Sequence, residues 1–142
     1  MATRKAASNV TQFPTPAQTV GIGGITLPVY DCPPEWQFLV PPEESYEPQG
    51  HELQALAASA KNHEALLLMG PTGIGKNALV RDFCHKTNRP MFLLSMAEGT
   101  GIDQFIGSML PVPSKEAGQD FAIEFRKGAL PLAMLAGGVL VL

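Results

Sequence analysis

The chain has 142 residues, 45% hydrophobic and 16% charged, with a formal net charge of −3. That length fits one domain, and no stretch approaches the ~18 consecutive apolar residues of a membrane-spanning helix. The slight acidic excess offers no general attraction to nucleic acid or anionic lipid, so neither is expected as a partner. Two cysteines, Cys32 and Cys84, are too few for a disulfide framework or a four-ligand metal site. They read as free thiols in a reducing cytoplasm. Arg4 and Lys5 have no apolar region behind them, which argues against a secretory leader.

Residues 1–49 read as a Pro-rich, extended lead-in. Eight of the 13 prolines fall there, at 14, 16, 28, 33, 34, 41, 42 and 48. Each fixes φ and removes a donor, which forbids a long helix or a central strand. Residues 19–30 break the pattern: β-branched residues flank Gly23-Gly24. Two readings stand there, a small hairpin and a loop ordered only by a partner. From residue 50 to 142 the grammar is α/β. In His51–Asn62, Leu53, Leu56, Ala57 and Ala60 make one apolar helix face. Ala65–Met69 is a short apolar run ending at glycine, as a strand buried on both faces should be. Lys76–Thr87 is a second amphipathic helix, with Leu79, Val80, Phe83, Cys84 and Thr87 on one side, stopped by Asn88-Arg89-Pro90. Met91–Met96 is a second strand. A glycine-bearing loop and a Pro- and Gly-rich stretch, Pro111–Gly118, follow. Ala129–Ala136 is a short helix, and Val139–Leu142 a third strand.

Between the first strand and the second helix lies Gly70-Pro71-Thr72-Gly73-Ile74-Gly75-Lys76-Asn77-Ala78. It meets the pattern G-x-x-x-x-G-K. Glycines let the backbone wrap so that successive N–H groups converge on a phosphate, and the helix start adds the positive end of its dipole. Lys76 supplies a point charge for the β- and γ-phosphates. An apolar strand entering and an amphipathic helix leaving are what this chemistry requires. Residues 70–78 are therefore the candidate nucleotide-binding set. One residue departs. The pattern wants a hydroxyl after the lysine to ligate Mg²⁺, and here stands Asn77. Its amide oxygen is a legitimate hard ligand but is differently aimed, and Mg²⁺ tolerates poor geometry badly. Asn77 is the one candidate metal ligand.

Four segments together resemble the N-terminal part of a MoxR-type AAA+ ATPase, and most of all the AAA+ subunit of aerobic cobaltochelatase. They are Val20–Tyr30, the Pro-rich approach through Tyr46 to the phosphate loop, Gly101-Ile102-Asp103-Gln104-Phe105-Ile106-Gly107, and Phe125-Arg126-Lys127-Gly128-Ala129-Leu130-Pro131-Leu132-Ala133-Met134. The resemblance implies a three-layer P-loop NTPase core with a parallel sheet in the order 5-1-4-3-2. It implies a homo-oligomeric ring, a hexamer in this family, that hydrolyses ATP with Mg²⁺ to remodel a partner protein. In the cobaltochelatase case that work inserts a metal into a tetrapyrrole. In the family an Asp-Glu pair follows the strand corresponding to Val139–Leu142. The resemblance therefore implies a sequence truncated after the third strand, with no catalytic residue to assign within it and no ATPase activity of its own. A short protein that binds nucleotide without hydrolysing it is the rival reading, joined by a P-loop small-molecule kinase.

Other residues are open. Tyr46 is either an adenine neighbour, as the resemblance implies, or a plain loop aromatic. Asp103 is either a subunit contact or a loop carboxylate. Arg126 and Lys127 read as a solvated pair, with a contact to the next protomer or to a substrate loop as the alternative. His51, His63 and His85 lack metal-ligand spacing.

Overall fold

The computed structural model describes residues 18–113 and 121–142. The first elements are strands β1 (Thr19–Ile22) and β2 (Ile25–Pro28), paired antiparallel with Ile22 opposite Ile25. Gly23 and Gly24 turn the chain at φ +56° and +78°, the two positive values a primed hairpin turn demands. The register puts Val20, Ile22, Ile25 and Leu27 on one face, and all four pack on the core. Thr19, Gly21, Thr26 and Pro28 take the other.

That core is built by helices α1 (Glu52–Asn62) and α2 (Lys76–Lys86). Periodicity decides which side is buried. Leu53, Leu56 and Ala57 of α1 meet Leu79, Val80, Phe83 and Cys84 of α2 in one cluster with Ile22 and Leu27. Burial of each large side chain there stabilises the fold by about 1.5–3 kcal/mol. Helix α1 ends in the left-handed conformation at His63, φ +58°. Helix α2 ends at Thr87, whose hydroxyl donates to the Phe83 carbonyl at 2.7 Å, and the chain turns at Asn88, φ +52°.

Residues 30–46 do not lead away from this core. They run as a strap along α2, in the opposite direction to the helix, and include a 3-10 helix, Pro34–Leu39. At the far end the Tyr30 N–H donates to the Thr87 carbonyl and the Asn88 amide donates to the Tyr30 carbonyl, both at 2.8 Å. Gln37 donates to Asn88 at 3.2 Å. His85 Nδ1 lies 3.0 Å from the Pro41 carbonyl, which can only accept, so the proton sits on that nitrogen. Arg81 pairs with Glu44 at 3.2 Å. The strap ends with the Tyr46 ring beside Gly75.

Strand β3 (Met91–Leu93) pairs parallel with β6 (Val139–Val141). Alternation sends Met91, Val139 and Val141 into the α1–α2 core. Phe92 and Leu140 take the opposite face, where helix α4 (Ala129–Ala136) packs against both strands. Phe92 packs against Trp36 of the strap, ring centroids 5.7 Å apart and planes tilted by 58°. Helices on both faces of a parallel pair make three layers, as expected for the α/β class.

Three expectations need correction. Ala65–Met69 is in no sheet among the described residues, and Leu67 and Met69 are 80% and 85% exposed. A strand exists only through its neighbours, and among the described residues no strand pairs with this run. Only Leu68 of the run packs on the core. The second strand stops at Leu93, three residues short, because β6 offers it only three partners. And the stretch after it is not loop throughout. A single-turn helix α3 (Ile102–Phe105) is followed by β4 (Gly107–Pro113) and β5 (Phe121–Lys127), an antiparallel ribbon with Met109 opposite Phe125. Of the Pro- and Gly-rich stretch, residues 114–118 lie outside the described residues.

Candidate phosphate-binding loop

The loop from Gly70 leads into α2, whose N-cap is Gly75 at φ +92°, ψ +15°, a left-handed position that disfavours any side chain. Gly73 adopts φ +87°. The first intrahelical bond is Leu79 N–H to the Gly75 carbonyl, at 2.9 Å. The N–H groups of Lys76, Asn77 and Ala78 thus have no helical acceptor. No side chain caps them and no acidic residue stands in the first turn. Three donors without a helical acceptor at the positive end of an 11-residue helix suit a negatively charged group.

Lys76 lies across this opening. Its Nζ donates to the carbonyls of Gly70 and Pro71, at 2.8 Å each. The ammonium therefore closes the loop on itself, tying the start of the helix to the start of the loop. Both acceptors are neutral carbonyls on an exposed segment, so a phosphate oxygen competes for the same charge on better terms. Pro71, Thr72, Gly73, Ile74 and Asn77 are exposed, while Gly75, Lys76 and Ala78 are half-buried. The Lys76 bonds to Gly70 and Pro71 close residues 70–76 into one turn, from which α2 carries on through Asn77 and Ala78. The Asn77 side chain, exposed one residue beyond Lys76, offers an amide oxygen of the kind Mg²⁺ accepts.

Other singled-out residues lie elsewhere. Cys84 is fully buried on α2, and burial pushes its thiol up to about 12, so it packs rather than reacts. Burial also raises the Cys32 thiol. Asp103, Arg126 and Lys127 share the wall of a cavity of about 560 Å³ between the ribbon and β3, away from the loop. No helix among the described residues is long and apolar enough to cross a membrane.

The residue that sequence reasoning missed is Glu52, in the first turn of α1. Its Oε1 accepts from the Tyr46 hydroxyl at 3.0 Å and from the Gln49 N–H at 2.6 Å. Backbone hydrogen bonds, its own N–H first and then that of Gln49, hold its carboxyl below the usual range. A Cβ placed at Gly75 would lie 3.5 Å from Cε2 of Tyr46. The tyrosine ring therefore flanks the loop at the helix start. A Glu opening a helix is a common first-turn signal, and nothing in the sequence pairs it with Tyr46.

Similarity to known proteins agrees with this geometry. Residues 65–142 match the family described as AAA domain (dynein-related subfamily). The chain is 34% identical over 65 residues to Protein NorQ of Paracoccus denitrificans (strain Pd 1222), covering 46% of this chain and 24% of that protein. It is 30% identical over 74 residues to Protein CbbQ of Hydrogenophilus thermoluteolus, covering 52% of this chain and 28% of that protein. It is 26% identical over 92 residues to Midasin of Giardia intestinalis, covering 63% of this chain and 2% of that protein. The chain thus spans about a quarter, or far less, of these relatives. No solved structure matches it. The family match takes in more than half of the chain, begins at the apolar run before the loop and ends with β6: the chain belongs to the dynein-related AAA domain family, with its P-loop NTPase α/β fold.

Proposed function

We propose that residues 70–78 bind the phosphates of ATP, and that the protein to which this domain belongs uses the nucleotide in a ring of like subunits to remodel a partner protein. The observation that carries the reading is the α2 N-terminus: three N–H donors without acceptors, Lys76 across the opening, and no acidic side chain in the first turn. Lys76 then exchanges two backbone carbonyls for the β- and γ-phosphates. The loop amides take the remaining oxygens. Mg²⁺, bound with the nucleotide, neutralises phosphate charge, and the exposed amide oxygen of Asn77, next to Lys76, supports that residue as its ligand. ATP hydrolysis belongs to this proposal, as do the hexameric ring and metal insertion into a tetrapyrrole as the form the remodelling takes. The boundary near residue 50 is also proposed, with the strap and hairpin serving as a bracket for the ATPase core.

Asn77 favours a second reading, a nucleotide-binding assembly subunit that does not hydrolyse. Both readings need the loop to bind. Replacing Lys76 by Ala removes the ammonium but none of the core contacts. The expected outcome is loss of binding of a fluorescent ATP analogue with an unchanged circular dichroism spectrum. Unchanged affinity would refute the phosphate-loop assignment.

A further inference from the structure

We infer that Glu52 and Tyr46 are positioning residues that preset the phosphate loop from outside it. The inference rests on residues 70–78 being that loop. Gly75 is its last residue before α2, and its left-handed φ of +92° sets the direction of the N–H groups at the start of that helix. Gly75 has no side chain with which to hold itself. Its neighbour is the ring of Tyr46, near enough that an added Cβ would meet Cε2 at 3.5 Å.

The ring is fixed from two sides. Its apolar edge packs on the core cluster. Its hydroxyl donates to Glu52 Oε1 at 3.0 Å, and the same oxygen takes the Gln49 N–H at 2.6 Å. One carboxylate oxygen thus closes residues 46–52 into a short loop standing on α1. The strap approaches from the other direction, tied to Asn88 just past α2 and to His85 and Arg81 within it before it reaches Tyr46. Tyr46 is therefore held at the junction of α1 and the strap. From there it limits the room Gly75 has to leave its conformation. A loop already in its binding conformation loses less entropy when the phosphate arrives.

The test uses the 142-residue chain carrying Glu52→Ala, Glu52→Gln, Tyr46→Ala or Tyr46→Phe. Two ligands are titrated: ATP and inorganic pyrophosphate. Amide exchange is measured at Leu79, whose N–H bonds to the Gly75 carbonyl, and at Thr87, whose N–H bonds to the Phe83 carbonyl at the other end of α2. Glu52→Ala and Tyr46→Ala should weaken both ligands by about tenfold, the size of one charge-assisted hydrogen bond. They should speed exchange at Leu79 and leave Thr87 alone. Glu52→Gln keeps an acceptor for the Tyr46 hydroxyl and should restore most of the affinity. Tyr46→Phe keeps the ring but not the bond, and should fall between.

Weakening of ATP alone would overturn the inference, because Tyr46 would then touch the base and not set the loop. So would equal acceleration at Leu79 and Thr87, the mark of general destabilisation. Unchanged exchange at Leu79 would overturn it without reference to any ligand. If the unaltered chain binds neither ATP nor pyrophosphate, the phosphate-loop reading fails, while the exchange at Leu79 still decides whether Glu52 and Tyr46 hold Gly75.

Discussion

Asn77 occupies the second position of α2, where its backbone N–H is one of the three free donors and its side chain is exposed. The two roles separate. The backbone donor survives any substitution except proline, so phosphate contacts there do not depend on the side chain. The side chain matters only to a metal ion. A threonine oxygen is one bond nearer the backbone than the amide oxygen of Asn, and the Asn NH₂ cannot ligate. Mg²⁺ requires near-octahedral geometry at about 2.1 Å, which magnifies such differences. ATP affinity of the native chain is therefore expected to be nearly the same with Mg²⁺ as with a chelator. In Asn77→Thr, Mg²⁺ should tighten it several-fold. Isothermal titration of both versions under both conditions decides the matter. Strong Mg²⁺ dependence in the native chain would show Asn77 to be an adequate ligand already.

Among the elements, the β1–β2 hairpin shows how local and tertiary demands meet at one residue. Gly23 needs a positive φ for the turn, and an added Cβ would stand 2.7 Å from both Cα and N of Gln54 in α1. Gly24 has a positive φ but open space around it. Gly24→Ala is expected to cost about 1 kcal/mol, the left-handed penalty alone. Gly23→Ala adds a backbone clash that lifts the hairpin from α1, for roughly 3 kcal/mol. Urea unfolding followed by Trp36 fluorescence in dilute solution measures both, and equal costs would contradict the close approach. Helices α1 and α2 and the loop between them were legible in the sequence because each is specified locally, by apolar spacing and by glycines. Ala65–Met69 was not, since apolar character names a strand but cannot supply its neighbours. The ribbon was obscured by Pro111 and Pro113, residues that argue against a strand except at an edge, where these lie. The link from Glu52 through Tyr46 to Gly75 is tertiary, spanning 23 positions between its carboxylate and the loop, and no local pattern encodes it.

At the scale of the whole molecule, two surfaces stand out for what they expose. One is the unpaired run before the loop, with Leu67 and Met69 open to solvent. The other is the β4–β5 ribbon. Its register sets Met109 opposite Phe125, Pro111 opposite Ile123 and Pro113 opposite Phe121. All six side chains share one face, and Met109, Phe121 and Ile123 are more than 60% exposed. A two-stranded ribbon whose face is apolar from Met109 to Pro113 and from Phe121 to Phe125, with Lys127 at its end, and which pairs with no further strand among the described residues, is marginal by itself and invites pairing with another chain. Concentrated apolar exposure of this kind marks an interaction surface or an aggregation site. The 142-residue chain is therefore expected to self-associate as its concentration rises from micromolar toward millimolar, and to bind a dye specific for apolar surface. Charges placed on the two surfaces should act independently, because Leu67 lies in the run before the phosphate loop and Ile123 on β5. Ile123→Asp should remove the larger part of the association and Leu67→Asp the remainder, while neither disturbs the core formed by Leu79, Val80 and Phe83. Sedimentation velocity across that concentration range supplies the measurement. A native chain that stays a single monomeric species throughout would show that these faces are not adhesive, and that the ribbon is stable without a partner.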